Sequence, residues 1–514
     1  MAVITDKLRI VNCSNFINDV STGNYYTFIG FPYADSFYPT WNSVSRPNPI
    51  DNYFYLNSYR DNILGIKKIT SSDVIRVIPK NVWTKGKKYE MYRHDYSVNN
   101  TSPWTSSTRL YDASYYVMNS EYRVYICINN NSLPSNQNKG TTSTQEPLHT
   151  NLSPTVESDG YIWKYLYTLS PADVLKFDST DYISVPNNWE TSTNSDISRI
   201  RENAVDGKIE TILIENNNAI YPYFGTLNNV PIRGDGSSNA TASIEFDSTG
   251  KPVKVTVTNG GNGFTFATLD LNSILLPSIG TKAVFNVIIP PPGGHGANVY
   301  NELGAFRALV YSRIENNPTN PDFITGNQFS RVGIIKDIKT NTNQVFSDNT
   351  GSGVYAFKLN SDASGEADDA TITQSNTGSI GNLVSFDPIT KVLRYIQPRT
   401  NNIDTYIDGS GNKQIDYQVL DSISGIQTSS NYKLNSFDSS SIVVGSTTYT
   451  IDTGFNGTST DVGGTTYYLG QNFVSGLSSP DINTKSGDIV YVDNRTSVTR
   501  SSQQREDIKI ILEF

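Results

Sequence analysis

"NATASIEFDSTGKPVKVTVTNGGNGFTFATLDL", residues Asn239 to Leu271, decides the fold class of this chain. Val253, Val255 and Val257 alternate with Lys254, Thr256 and Thr258. A period of two puts the valines on one face of a pleated strand and the polar residues on the other. "DSTGK" before this run and "NGGNG" after it supply the backbone freedom that hairpin turns require. From Thr340 to about Asp481 the texture returns, as short runs ("GVYAFKL", "SIVVGSTTYTI", "TTYYLG") between Gly, Asn and Ser turns. Neither stretch has a fixed period, so a regular solenoid is not supported.

Composition extends this reading. Of the 514 residues, 37% are hydrophobic and 17% charged, both below the usual globular share. Asn, Ser, Thr, Gly and Tyr fill the remainder and suit pleated surfaces and turns. The expected class is mostly β, in more than one domain. All five tryptophans (Trp41, Trp83, Trp104, Trp163, Trp189) precede residue 190, in a segment also dense in tyrosine. After about residue 205 Gly, Asn, Ser and Thr take over, which marks a change of module.

Few helices are expected. "LSPADVLKF" has Ser170 as N-cap, Pro171 at the first helical position and Asp173 three residues after the cap. "SSDVIRVIP" (Ser71 to Pro79) is a second short candidate, stopped by its proline. "ELGAFRALVYSRI" reads equally as helix or buried strand. The end of the chain is clearer. "GDIVYVDNR" is continuous enough to be buried, and "EDIKIILEF" alternates. Ile508, Ile510, Leu512 and Phe514 face one side, opposite Asp507, Lys509 and Glu513. That strand should complete the core built by the N-terminal module.

Forty basic and 49 acidic residues give a net charge of −9. "IKKI" and "KGKKYEMYRH" are short and interrupted, so the clustered cations of a nucleic-acid footprint are missing. Cys13 and Cys127 read as small buried hydrophobes in a reducing compartment. No apolar run reaches the roughly 18 to 20 residues that span a bilayer, and "MAVITDKLRI" lacks the pattern of a signal peptide. A soluble protein folding in a cytosol is expected.

Little chemistry is visible. His94, His149 and His295 are the only histidines, and no HxxxH, HxH or CxxC occurs, which excludes a metal site built from local ligands. Cys–His partners meet only in the fold, so spacing does not decide that case. "GDGSSNATASIEF" lacks the third glycine and the following helix of a phosphate loop. "IDGSGNKQID" sets Asp408, Ser410 and Asn412 at calcium-loop spacing, but Val419 stands where a glutamate is required. "GEADDA" (Glu366, Asp368, Asp369) reads as a solvated loop. "PPPGGHGANVYNELGA", with His295 among glycines, reads as a stiff, exposed crossover between domains in which the histidine is dispensable for any chemistry and modest in structural effect. No catalytic residue, cofactor or metal is expected.

Two segments carry a resemblance. "ESDGYIWKYLYTLSPADVLKFDSTDYISVP" (Glu157 to Pro186) and "GDIVYVDNRTSVTRSSQQREDIKIILEF" (Gly487 to Phe514) resemble the dimeric baseplate wedge subunit of contractile-tailed bacteriophages. "YYTFIGFPYADSFYPTW", "SSDVIRVIPKNVW", the proline loop and "FSRVGIIKDI" add weaker matches in the family's order. The resemblance implies a β-sandwich core assembled from N-terminal, middle and C-terminal segments, with β-rich inserted domains. The segments are 1–205, 290–340 and 483–514 for the core, with insertions at 206–289 and 341–482 that exchange few contacts with it. It also implies a structural virion protein of the tail baseplate. Such a protein has no enzymatic activity, is homodimeric, and packs against other wedge proteins after synthesis in the host cytoplasm. Tyr161, Trp163, Tyr165, Tyr491, Arg495, Ile508, Ile510, Leu512 and Phe514 are the expected interface or core residues. The alternative is a carbohydrate-binding or polysaccharide-degrading tail protein, motivated by the hairpins and surface aromatics.

Overall fold

"YYTFIG" (Tyr25–Gly30) is apolar on both faces of a strand, and all six of its residues are buried. A run of that kind belongs inside a sheet covered on both sides. In the computed structural model it is the middle strand of five, ordered Thr350–Ser352, Ile63–Lys68, Tyr25–Gly30, Gln328–Lys336, Asp488–Thr499. Every neighbouring pair is antiparallel. N-terminal, middle and C-terminal segments thus share one sheet. Tyr26, Phe28, Ile66 and Ile335 pack in one cluster; Ile29, Leu64, Phe329 and Val332 pack in another. Gly333 is needed here, because a Cβ would sit 2.4 Å from the Phe28 ring and from the Tyr491 carbonyl oxygen.

The described residues are 3–31, 46–317, 320–321, 323, 325–367, 369–397, 405–407, 413–415, 437–501 and 504–514. Trp41, Asp368, Asp408, Ser410, Asn412 and Val419 lie outside them. The chain divides into two compact units, Met1–Ile17 with Ile75–Leu309 and Ile511–Phe514, and Asn18–Val74 with Val310–Ile510. The protein is mostly β, with helices α1 (Asp6–Thr22), α2 (Tyr53–Asp61), α3 (Pro171–Phe177), α4 (Ser195–Glu202) and α5 (Val299–Leu303). No helix among the described residues is long and apolar enough to cross a membrane.

A four-stranded sheet has the order Glu506–Glu513, Arg307–Ile314, Val74–Pro79, Tyr182–Val185. Its C-terminal strand keeps the expected alternation at Asp507, Ile510 and Glu513, while Lys509 is half-buried like Ile508. Ile510 is buried, Ile508, Leu512 and Phe514 are half-buried, and Asp507 and Glu513 are exposed. Asp507 accepts two bonds from Arg313, at 2.7 and 3.0 Å, and the Phe514 ring lies 5.5 Å from that of Phe16. The end of the chain is docked.

Local chemistry explains the helices. Ser170 Oγ accepts from the Asp173 amide at 3.0 Å and caps α3 as expected. "SSDVIRVIP" is not a helix. A 3-10 turn at Ser71–Asp73 leads into the strand Val74–Pro79. The β-branched Val74, Ile75, Val77 and Ile78 favour the sheet, and Asp73 turns back to accept from the Thr70 amide at 2.8 Å. "ELGAFRALVYSRI" is both things. α5 ends at Leu303, Gly304 takes φ +64°, and the strand Arg307–Ile314 follows. α1 is not among the expected helices, although Ile10, Cys13, Phe16, Ile17 and Val20 bury one face at helical spacing.

Thr241–Phe246 and Pro252–Asn259 form the expected hairpin, with Val253, Val255 and Val257 half-buried and Lys254, Thr256 and Thr258 exposed. Asp247 Oδ1 holds the turn by accepting from the Thr249 and Lys251 amides at 2.8 and 3.0 Å. "NGGNG" is no hairpin turn. Gly260 passes close to other backbone, where a Cβ would meet the Ile209 carbonyl oxygen at 2.1 Å. Thr211–Asn216 pairs with Val284–Ile288, and Lys339–Thr340 pairs with Ile482–Asn483. Ile232, Ala242, Ile244, Phe246 and Phe264 share a core within 206–289. A seven-stranded sheet between Tyr355 and Ser478 has its own, including Phe357, Leu393 and Tyr395. The expectation of few contacts is corrected for 341–482. Phe346 packs with Tyr26, and Val354 and Val384 pack with Ile29 and Leu64.

Ile510→Ala should lower the unfolding free energy by about 2–4 kcal/mol, and Leu512→Ala by less, because only Ile510 is fully enclosed. Urea denaturation of the two variants checks the ranking.

Candidate functional site

The proline loop encloses a buried polar pair, His295 and Glu302. Gly293, Gly294 and Gly296 have φ of +86°, +86° and +91°. At Gly294 a Cβ would lie 2.3 Å from the Val205 carbonyl oxygen, so the chain passes with no room for a side chain. These turns swing His295 inward. It is 6% exposed, with its ring edge-on to Tyr92 at 4.7 Å. Its Nδ1 lies 2.6 Å from Glu302 Oε1, while Glu302 Oε2 accepts from the Gly296 amide at 2.7 Å. α5 places the carboxylate, with Asn298 as N-cap. The reading of His295 as part of an exposed loop is therefore corrected. Its partner stands seven residues on, across a turn and into a helix.

Aromatic hydroxyls and an indole fix the surrounding backbone. Tyr115 donates to the Glu302 carbonyl at 2.6 Å, and Tyr300 to the Pro186 carbonyl at 2.9 Å. Trp189 Nε1 donates to the Gly296 and Ala297 carbonyls at 3.2 and 3.1 Å. Beside them Lys164, 3% exposed, donates to the Leu152 carbonyl at 2.8 Å. Burial holds its ammonium below the ordinary lysine range, against the opposing pull of Glu210 and Glu302. Lys164, His295, Lys208 and Glu210 line a cavity of about 40 Å³. Both Glu302 oxygens are engaged by groups of the loop itself. The arrangement ties the loop down.

The other two histidines lie elsewhere. His94 Nδ1 accepts from the Ile289 amide at 3.2 Å, and His149 Nδ1 from the Asn151 amide at 3.3 Å. Burial lowers the pKa of both. Cys13 and Cys127 are buried and unbridged, as expected. Burial pushes the Cys13 thiol up to about 12 and that of Cys127 well above its usual value. No group of three or more His, Cys, Asp or Glu side chains comes together at metal-binding distance among the described residues.

The expected interface or core residues divide. Tyr161, Trp163 and Tyr165 are buried in the largest aromatic cluster, where Tyr161 stacks on Trp163 at 5.4 Å. Ile510 is buried; Tyr491, Ile508, Leu512 and Phe514 are half-buried. Arg495 is exposed and pairs with Asp493 at 2.7 Å. One buried carboxylate is not among the expected residues. Glu90, fully enclosed, accepts from the Trp104, Thr105 and Ser114 amides at 3.1, 2.7 and 2.6 Å. A glutamate flanked by tyrosines in "YEMY" is the trace it left.

No family model matches the chain. It is similar to a phage baseplate protein. The match is "Baseplate wedge protein gp8" of Enterobacteria phage T4, 23% identical over 224 residues. The match covers 38% of this chain and 64% of that relative's length.

Glu302→Ala strands both the Gly296 amide and His295, and should cost about 3 kcal/mol of stability, against about 0.5 kcal/mol or less for the exposed Glu202→Ala. Chemical denaturation reads the difference. Lys164 supplies a pH test. Its folded pKa lies below the unfolded one, so the unfolded chain binds more protons in the window between them. Its contribution therefore rises with pH through that window, and the penalty is full below it. Lys164→Met should be most favourable relative to wild type near neutral pH. That advantage should shrink as pH climbs toward the ordinary lysine value, measured by urea denaturation across about pH 7–10.

Proposed function

We propose that this chain is a structural component of a bacteriophage tail baseplate wedge, working through rigid protein–protein contacts during baseplate assembly. The observation that carries this reading is the similarity to the T4 wedge protein. The chemistry of the site agrees with it. The buried carboxylates Glu90 and Glu302 are consumed by backbone amides and by His295, an arrangement that holds loops in place. The protein is not an enzyme in this reading. It resides in the virion tail, assembles in the host bacterial cytoplasm as a homodimer, and meets other wedge proteins.

The segmentation belongs to the same proposal. Residues 1–205, 290–340 and 483–514 form the wedge core, and 206–289 and 341–482 are insertions. Paired strands at both ends support it: Thr211–Asn216 with Val284–Ile288, and Lys339–Thr340 with Ile482–Asn483. A segment that leaves and returns through adjacent strands can be gained without moving the ends. Exposed Arg495 and half-buried Tyr491 are the proposed interface positions.

The test is a phage in which the gene is conditionally silenced. Infected cells should accumulate incomplete baseplates and no infectious particles, and light scattering on the purified protein should give twice the chain mass. Normal virions without the protein would refute the role.

A further inference from the structure

The turn Thr84–Lys88 concentrates positive charge on a chain of net charge −9. Lys85, Lys87 and Lys88 are all exposed, and so is Lys139 on the adjoining loop. The turn is held firmly. Gly86 N donates to the Ser143 carbonyl at 2.8 Å, and Ser143 N to the Lys87 carbonyl at 2.9 Å. Trp83 Nε1 bonds Ser143 Oγ at 3.1 Å. Trp104 stands among these lysines, 38% exposed, its indole N–H donating to the Lys139 carbonyl at 2.8 Å. The Lys88 ammonium lies 3.9 Å from the Trp104 ring centroid.

None of the four lysines makes an ion pair or a side-chain hydrogen bond among the described residues. The nearby acids are spent elsewhere. Glu90 is buried and bonded to the Trp104 and Thr105 amides, and Asp159 Oδ2 accepts from the Thr144 and Gln145 amides at 2.7 and 3.0 Å. Exposed lysine turns are commonly just solvated. This one is pinned by backbone bonds and has an exposed tryptophan at its centre, which is how interface anchors are presented.

We infer that Lys85, Lys87, Lys88, Lys139 and Trp104 form a docking surface for an acidic segment of another protein. Unpaired ammonium groups around an aromatic anchor attract carboxylates and steer their approach, while the acidic remainder of the chain repels them. No arginine belongs to the patch, so the planar fork that grips phosphate in two places is missing. The partner's place among other wedge proteins rests on the function proposed above; the charge complementarity does not.

Fluorescence anisotropy with a labelled Asp/Glu-rich peptide and its Asn/Gln counterpart tests the surface. The full chain is compared with Lys85→Glu/Lys87→Glu/Lys88→Glu. Wild type should prefer the acidic peptide, with binding that falls steeply as salt rises, and the variant should bind at least about tenfold more weakly. The variant's thermal midpoint and solution mass should be unchanged, since the three side chains are exposed. Equal binding by wild type and variant would overturn the inference. So would tighter wild-type binding to phosphatidylglycerol vesicles or a single-stranded oligonucleotide, or a variant that falls to half the wild-type mass. Mixing with the virion's other purified baseplate proteins separates the two readings. A complex formed by wild type and lost in the variant supports both. A complex formed equally by both proteins removes the docking surface and leaves the wedge role standing. No complex with wild type, beside retained peptide preference, removes the wedge role and leaves the acid-binding surface.

Discussion

Tyr25–Gly30 pairs with Gln328–Lys336 across some three hundred residues of chain, Tyr25 opposite Lys336 and Gly30 opposite Arg331. The five-stranded sheet hangs on that register. A slip of one residue would turn Tyr26 and Phe28 away from their cluster and bring Thr27 and Ile29 into it. It would also set another residue in place of Gly333 opposite Phe28, where a Cβ would lie 2.4 Å from the ring. Closing so long a loop costs chain entropy, though the cost grows only slowly with length. The strands repay it with apolar faces on both sides. The kinetic consequence is slow folding, since nothing local to either strand rewards the pairing.

Long-range closure also constrains where the rest of the chain can go. Segment 206–289 departs and returns through the pair Thr211–Asn216 and Val284–Ile288, and it carries its own core around Ile244, Phe246 and Phe264. Segment 341–482 has a similar paired base at Lys339–Thr340 and Ile482–Asn483. It is less separable. Tyr26 donates to the Phe346 and Asp348 carbonyls at 3.0 and 3.1 Å, so its first residues are woven into the central sheet.

What was legible in the sequence was whatever repeats at a short period. The valines of Val253–Val257, the C-terminal Ile508–Phe514 alternation and the Ser170 cap of α3 all declare themselves within a few residues. α1 did not, because its buried Ile10, Cys13, Phe16, Ile17 and Val20 are interspersed with the exposed apolar residues Leu8 and Val11. Such a helix has little amphipathic contrast, and only tertiary packing selects its buried face. "SSDVIRVIP" differs for another reason: its first residues do form a single helical turn, but the β-branched residues that follow continue as strand. The candidate site was legible in composition but not in pairing. Glycines around His295 suggested an exposed loop, yet those same glycines let the loop turn its histidine inward onto Glu302.

The buried polar groups follow one pattern. Glu302 holds Gly296 and His295, Glu90 holds Trp104, Thr105 and Ser114, and the Tyr115 and Tyr300 hydroxyls hold carbonyls. Each satisfies a loop's backbone from inside the core, where no strand ladder can reach it. Hydrogen bonds of this kind add little net stability when made and cost much when broken, so they fix geometry more than they deepen the free-energy minimum. A protein whose proposed work is rigid contact needs that trade. Segments held like the lysine turn at Thr84–Lys88 would have little ordering entropy left to lose on meeting the proposed partner.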